Sequence, residues 1–215
     1  MDKTLHNKKK DLFKILEVMN KISIKIEMQL CYAKNLLSYK PGYESQLLAI
    51  YDLNSLSVCV WKCAVLDLNK LFPEKCSKND KYCFNKLLNK CSLTKGGEFK
   101  KLITNQNLLS DFETEMLKNQ ETIKKIQKLR DEFYAHTDNN SDINSIEINF
   151  NDAEKLSNLA KDILNKLHLE VFEYPIDNSD LYNTENNIVK DLIGYRKMLH
   201  NDSLNTLIKE KYNKH

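Results

Sequence analysis

Four glycines and three prolines are spread over 215 residues, and this scarcity of turn-forming residues constrains the fold more than any other feature. A β-rich chain reverses direction roughly every ten residues and relies on glycine and proline to do so. Long stretches without either residue suit helices, so the sequence predicts an all-α bundle. Leu12, Ile15, Met19, Ile22, Ile26, Leu30, Ala33 and Leu37 recur at three- and four-residue steps. They predict one amphipathic helix over 8–38, stopped by Pro41-Gly42. A second helix, from about Glu44 to Leu71, is apolar nearly all round and belongs in the middle of the bundle. Within it Cys59 and Cys63 read as small core residues, and Asp67 reads as lying near the helix end rather than buried.

Beyond Pro73, Asn79 or Asp80 is placed to cap a short helix ending near Cys91, with Phe84, Leu87 and Leu88 inward. Gly96-Gly97 marks a loop. Ser110 and Glu113 form a capping-box pattern, and the helix they open carries Phe112, Met116, Ile123, Ile126, Leu129 and Phe133 on one face. A polar loop follows at 138–142, and Ile143 to Phe150 alternates briefly as an extended segment. Asn151 or Asp152 caps the next helix, whose inward side is Ala153, Leu156, Leu159, Ala160, Ile163, Leu164 and Leu167. A polar loop leads to a last helix, about Thr184 to Lys211. The predicted organisation is a bundle over 1–175 and a C-terminal helical extension over 176–215, packed on the same domain.

Charge and cysteine usage narrow the function classes. With 33 basic and 30 acidic residues the net charge is +3, too little for a constitutive nucleic-acid coat but compatible with a local basic patch. No apolar run is long enough to span a membrane, and no apolar signal core follows the N-terminal lysines. A cytoplasmic protein with reduced thiols is expected. Cys76, Cys83 and Cys91 lack a C-x-x-C pair and fit a zinc site poorly. No P-loop, glycine-rich phosphate cradle or Ser/His/Asp grouping is present, and neither cofactor nor metal is expected.

The chemistry-bearing stretch is Lys128-Leu129-Arg130-Asp131-Glu132-Phe133-Tyr134-Ala135-His136-Thr137-Asp138. It holds one of only two arginines in the chain, followed by a histidine, so residue types that bind phosphate and move protons lie close together. In an unbroken helix a six-residue separation sets Arg130 and His136 roughly 120° apart around the axis. Sharing a ligand requires the helix to end between them or the arginine to reach across. Glu132 lies four residues before His136 and can orient the ring. A helix C-terminus also favours the protonated imidazole, which suits general acid–base work near neutrality. Tyr134 is four residues from Arg130 and can stack on a base or on the guanidinium. A buried core histidine and a capping arginine are the plainer alternative. Arg196 and His200 form a second pair on the last helix, read as a surface pair or as a supporting RNA contact.

The Arg-to-His spacing at the end of a bundle helix resembles the signature of the HEPN superfamily. The quoted block resembles that of the abortive-infection AbiU branch. The preceding helix order is also similar, including Val60-Trp61-Lys62 to Leu68-Asn69-Lys70-Leu71. The resemblance covers roughly 10–172 and leaves the final helix unaccounted for. It implies a helical homodimer in which the motifs of both protomers meet, and a metal-independent endoribonuclease serving as a toxin or phage-defence effector. His136 would be the general acid/base and Arg130 the phosphate-holding group. Asp131, in the polar position after the arginine, would orient them, with Glu132 and Tyr134 in support. Asp138 stands where some relatives carry a tyrosine that is modified by a partner enzyme, so that form of control is not implied. RNA, a second copy of the chain, and an antitoxin or regulatory protein are the implied partners. A catalytically silent HEPN-like bundle that binds RNA, a nucleotide or a protein is the alternative function. A plain helical scaffold with an accidental Arg-His spacing is the third.

Overall fold

The apolar stripe of the N-terminal segment folds as one helix, α1 (Lys3–Leu37), that buries Leu12, Leu16, Met19, Ile26, Leu30 and Ala33. The computed structural model describes residues 3–37, 53–131 and 148–176, together with Met198 and Asn201. Five further helices lie among the described residues, and no strand: α2 (Leu53–Leu71), α3 (Phe84–Cys91), α4 (Gln106–Lys118), α5 (Gln120–Leu129) and α6 (Phe150–Phe172). The described residues form an all-α bundle. Helix α1 lies along α2 and then α6, while α2 also meets α5 and α6. That position makes α2 the central element. Its C-terminal half supplies Ala64, Val65, Leu68 and Leu71, with Phe72 just beyond, to a core closed by Ile123, Ile126 and Leu129 from α5 and Leu156, Ile163 and Leu164 from α6. Burying each large side chain of this kind stabilises the fold by roughly 1.5–3 kcal/mol.

Several local expectations fail, each for a physical reason. Cys59 and Cys63 are exposed, as are Leu56 and Val58 at 49% and 45%. An all-apolar helix does not reveal which of its sides faces a neighbour. Asp67 is buried within α2 because lysines from two helices answer its charge. Helix α3 starts at Phe84 with Cys83 in the capping position; Asp80 instead accepts the Ser77 N–H at 2.6 Å inside the preceding loop. Helix α4 starts four residues before the Ser110 capping box, and Ser110 O accepts from the Thr114 hydroxyl inside it. The expected continuous helix also breaks at Asn119, whose backbone (φ −96°, ψ 10°) separates α4 from α5. Asn149, rather than Asn151 or Asp152, caps α6 by accepting the Asp152 N–H at 2.9 Å. Of the predicted extended segment only 148–149 precede α6 among the described residues. The start of the second predicted helix, 44–52, lies outside them. Of the last helix only Met198 and Asn201 are described, both exposed.

Two carboxylates tie elements together. Asp67 accepts from Lys25 on α1 at 2.9 Å and Lys70 at 2.6 Å, with Gln29 Nε2 at 3.3 Å. Burial alone would raise its pKa, but the hydrogen bonds and charges of Lys70 and Lys25 outweigh it and hold the carboxyl below the ordinary range. Glu170 on α6 accepts from the Thr104 hydroxyl and from the Thr104 and Asn105 N–H groups, the latter two at 2.9 Å. It thereby caps the start of α4 from across the bundle, and those bonds lower its pKa. Near the same end of α6, buried His168 donates from Nδ1 to Tyr174 O at 2.8 Å. That bond closes the turn in which Glu173 takes a left-handed backbone (φ 67°).

Both carboxyls titrate lower in the folded chain than unfolded, so their contribution is complete above the ordinary carboxylate pKa values of about 4. It is lost as pH falls through the depressed folded values. Thermal melts from pH 7 to pH 3 are expected to show a steep acid-side fall that is shallower in Asp67→Asn and in Glu170→Gln. Curves parallel to wild type in both variants would show that these carboxylates do not link pH to stability.

Candidate active site

The candidate site sits at the C-terminal end of α5, and α5 is amphipathic enough to explain its placement. Ile123, Ile126 and Leu129 are buried at three-residue steps, which pins the helix to α2 and turns Lys124 and Lys128 outward. Arg130 keeps right-handed helical angles (φ −60°, ψ −48°), and its N–H donates back to Gln127 O and Ile126 O. Its side chain leaves the helix half-exposed, at 42%.

The guanidinium is held along one edge. Arg130 Nε donates to Asp131 Oδ1 at 2.8 Å, and Nη2 lies 2.5 Å from the same oxygen. The second Asp131 oxygen accepts from Gln127 Nε2 at 2.6 Å. Gln127 Oε1 in turn accepts from Asn69 Nδ2 of α2 at 3.0 Å. A line of four polar side chains thus runs from buried Asn69, 3% exposed, to the surface arginine. Asp131 occupies the Nε side, which leaves the outer edge of the fork to meet two oxygens of an anion such as phosphate.

Of the residues singled out from sequence, Arg130 and Asp131 are in direct contact. Glu132, Tyr134, His136 and Asp138 lie outside the described residues, as do Arg196 and His200. The sequence alone does not single out Gln127 or Asn69. The four-residue step from Gln127 to Asp131 is legible on a helix, whereas the contact of Asn69 depends on how α2 and α5 pack.

The cysteine-containing segment before α3 does not form a comparable site. Cys76 and Cys83 place their sulfurs 2.8 Å apart. Burial, reinforced by the Cys76 sulfur, pushes the Cys83 thiol up to about 12. Burial does the same to Cys91 at the far end of α3. These two thiols stay protonated at neutral pH, which makes them poor nucleophiles. Among the described residues no three His, Cys, Asp or Glu side chains gather as a metal site. No described helix is long and apolar enough to cross a membrane.

Comparison with known proteins places the chain in a family. The HEPN_AbiU2 family (AbiU2) matches residues 65–192, more than half of the chain. The matched span begins inside α2 and takes in Asn69, Gln127, Arg130 and Asp131, while α1 precedes it. No curated protein and no solved structure matches the chain. An all-α bundle with this span matched belongs to the AbiU2 family of HEPN domains, of the abortive-infection type.

Proposed function

We propose that the protein is a metal-independent endoribonuclease and serves as a toxin or phage-defence effector. The observation that carries this reading is Arg130, clamped on its Nε side by Asp131 at the end of α5, within a segment matched to a HEPN family. In the proposed reaction Arg130 holds the scissile phosphate and answers the charge that builds on its oxygens. His136 is the proton carrier. The ribose 2′-hydroxyl loses its proton to a histidine, a 2′-oxygen–phosphorus bond forms, and the bond to the 5′-oxygen breaks as that oxygen gains a proton. The products are a 2′,3′-cyclic phosphate and a 5′-hydroxyl. A homodimer that brings two copies of the motif together supplies one ring to take the proton and one to give it.

One observation favours a second reading, a bundle that binds RNA, a nucleotide or a partner protein without turnover. Asp131 already answers part of the Arg130 charge, which weakens its pull on phosphate relative to a free guanidinium. Incubation of total RNA with the full chain in EDTA separates the two readings. Fragments ending in cyclic phosphate are expected, together with complete resistance of an oligonucleotide carrying 2′-deoxyribose at the cut position. Retention of RNA by the folded protein without any fragments would establish the silent bundle instead.

A further inference from the structure

We propose that Asn69 is a positioning residue for Arg130, acting through the direction of the Gln127 amide. The proposal rests on the reading of Arg130 as the phosphate-holding group.

A carboxamide has an accepting end and a donating end. Ionised Asp131 only accepts, so it must meet the Gln127 Nε2 end, as it does at 2.6 Å. That orientation turns Oε1 towards α2, where the group opposite has to donate. Asn69 Nδ2 does so at 3.0 Å. Asn69 is 3% exposed, whereas the Arg130 and Asp131 side chains are 42% and 50% exposed. A pair as exposed as Arg130–Asp131 holds little fixed geometry on its own. The buried amide supplies what the pair lacks: a rigid donor, shielded from water, that selects one of two amide orientations and thereby fixes the carboxylate. Because Asn69 belongs to the core helix α2, it transmits the rigidity of the bundle to a surface arginine. An orienting group of this kind affects a reaction through geometry alone, and misplacement by about 1 Å costs roughly a hundred-fold in rate.

Asn69→Asp keeps the shape and replaces the donor with an acceptor. Gln127 is then expected to turn its Nε2 towards residue 69 and its oxygen towards Asp131, so that the carboxylate loses its Gln127 donor and holds Arg130 less firmly. Gln127→Met removes the same link from the partly exposed side and serves as the second variant. The chain has only two arginines, so a proton–nitrogen spectrum of the side-chain Nε–H groups contains two signals, and Arg196→Lys identifies that of Arg130. In the wild type the Arg130 signal is expected to exchange slowly with water. In Asn69→Asp and Gln127→Met it should exchange at least about ten-fold faster, with cleavage losing kcat by about a hundred-fold and KM changing little. Glu170→Gln, which alters the contact between α6 and the start of α4 instead, should lower stability and leave the signal in place. An Arg130 signal unchanged in either folded variant overturns the proposal. If wild type shows no cleavage at all, the nuclease reading falls while the Nε–H exchange still decides whether Asn69 positions the arginine.

Discussion

Arg130→Lys is expected to cleave RNA about a hundred- to a thousand-fold more slowly than the parent chain, and Arg130→Ala at least as slowly. Lysine keeps the charge but loses the planar fork, and the fork is what the local geometry exploits. Asp131 occupies the Nε side through contacts of 2.8 and 2.5 Å, so the remaining N–H groups can meet two phosphate oxygens in a fixed plane. A lysine ammonium has no second edge. Held by Asp131 it turns away from the phosphate, and free of Asp131 it is unoriented. His136→Ala is expected to lose about 10²- to 10⁴-fold, the usual worth of a placed proton carrier. Neither Arg130 variant should melt far from wild type, because a surface pair as exposed as Arg130–Asp131 contributes at most about 1 kcal/mol. Initial rates on a defined oligonucleotide, beside melting curves, check the set. A rate for Arg130→Lys within a few-fold of wild type would reduce Arg130 to a diffuse charge, and an unaltered rate for Arg130→Ala would remove it from the site.

Much of the fold is legible from local pattern because helix periodicity is a local property. The expected inward residues of α6, from Ala153 to Leu167, are all buried in the structure, with Ser157, His168 and Val171 added to them. On α1, Leu12, Met19, Ile26, Leu30 and Ala33 are buried as the stripe predicts, and Leu16 joins them. Expectations fail where the deciding partner is remote in sequence. The start of α4 depends on Glu170, 65 and 66 residues from the backbone groups it caps, so by local pattern alone Ser110-x-x-Glu113 reads as the better cap. Asp67 is tolerable inside the bundle because Lys25 on another helix reaches it beside Lys70 on its own. Cys59 and Cys63 lie on an apolar helix whose exposed side is chosen by α1, α5 and α6 rather than by its own residues.

The site divides along the same line. Arg130 and Asp131 stand next to each other in a recognisable block, and Gln127 sits one helical turn before Asp131. Asn69 precedes Gln127 by 58 residues, and no local rule connects them. On the proposed reading, a short motif names the residue that would hold phosphate without revealing what aims it. The proposed aiming group is a buried amide on the central helix, far from the motif in sequence.

Gly97→Ala is expected to destabilise the protein by about 3 kcal/mol, lowering Tm by roughly 6–12 °C for a chain of this size. A Cβ at residue 97 would overlap Lys90 O and lie 2.5 Å from both Asn89 O and the Lys90 carbonyl carbon. All three are backbone atoms at the end of α3, which cannot swing aside as a side chain would. The loop would have to lift, and its anchoring bonds would go with it: Gly97 N–H to Ser92 O at 2.9 Å and Phe99 N–H to Lys90 O at 2.7 Å. Phe99, 1% exposed, would be drawn out of the core by the same movement. Gly96 next to it is required for a different reason. Its φ of +66° is left-handed, and the space that a Cβ would take there is open, with nothing within 4 Å. Gly96→Ala should therefore cost only about 1–2 kcal/mol. Asparagine tolerates that backbone conformation better than most side chains. Gly96→Asn should melt close to wild type, while Gly97→Asn should be at least as damaging as Gly97→Ala. Thermal melts of the four variants test the distinction between forbidden space and forbidden torsion. If Gly97→Ala melts within about 2 °C of wild type, less than 1 kcal/mol for a chain of this size, the loop yields easily and does not hold Phe99 in place.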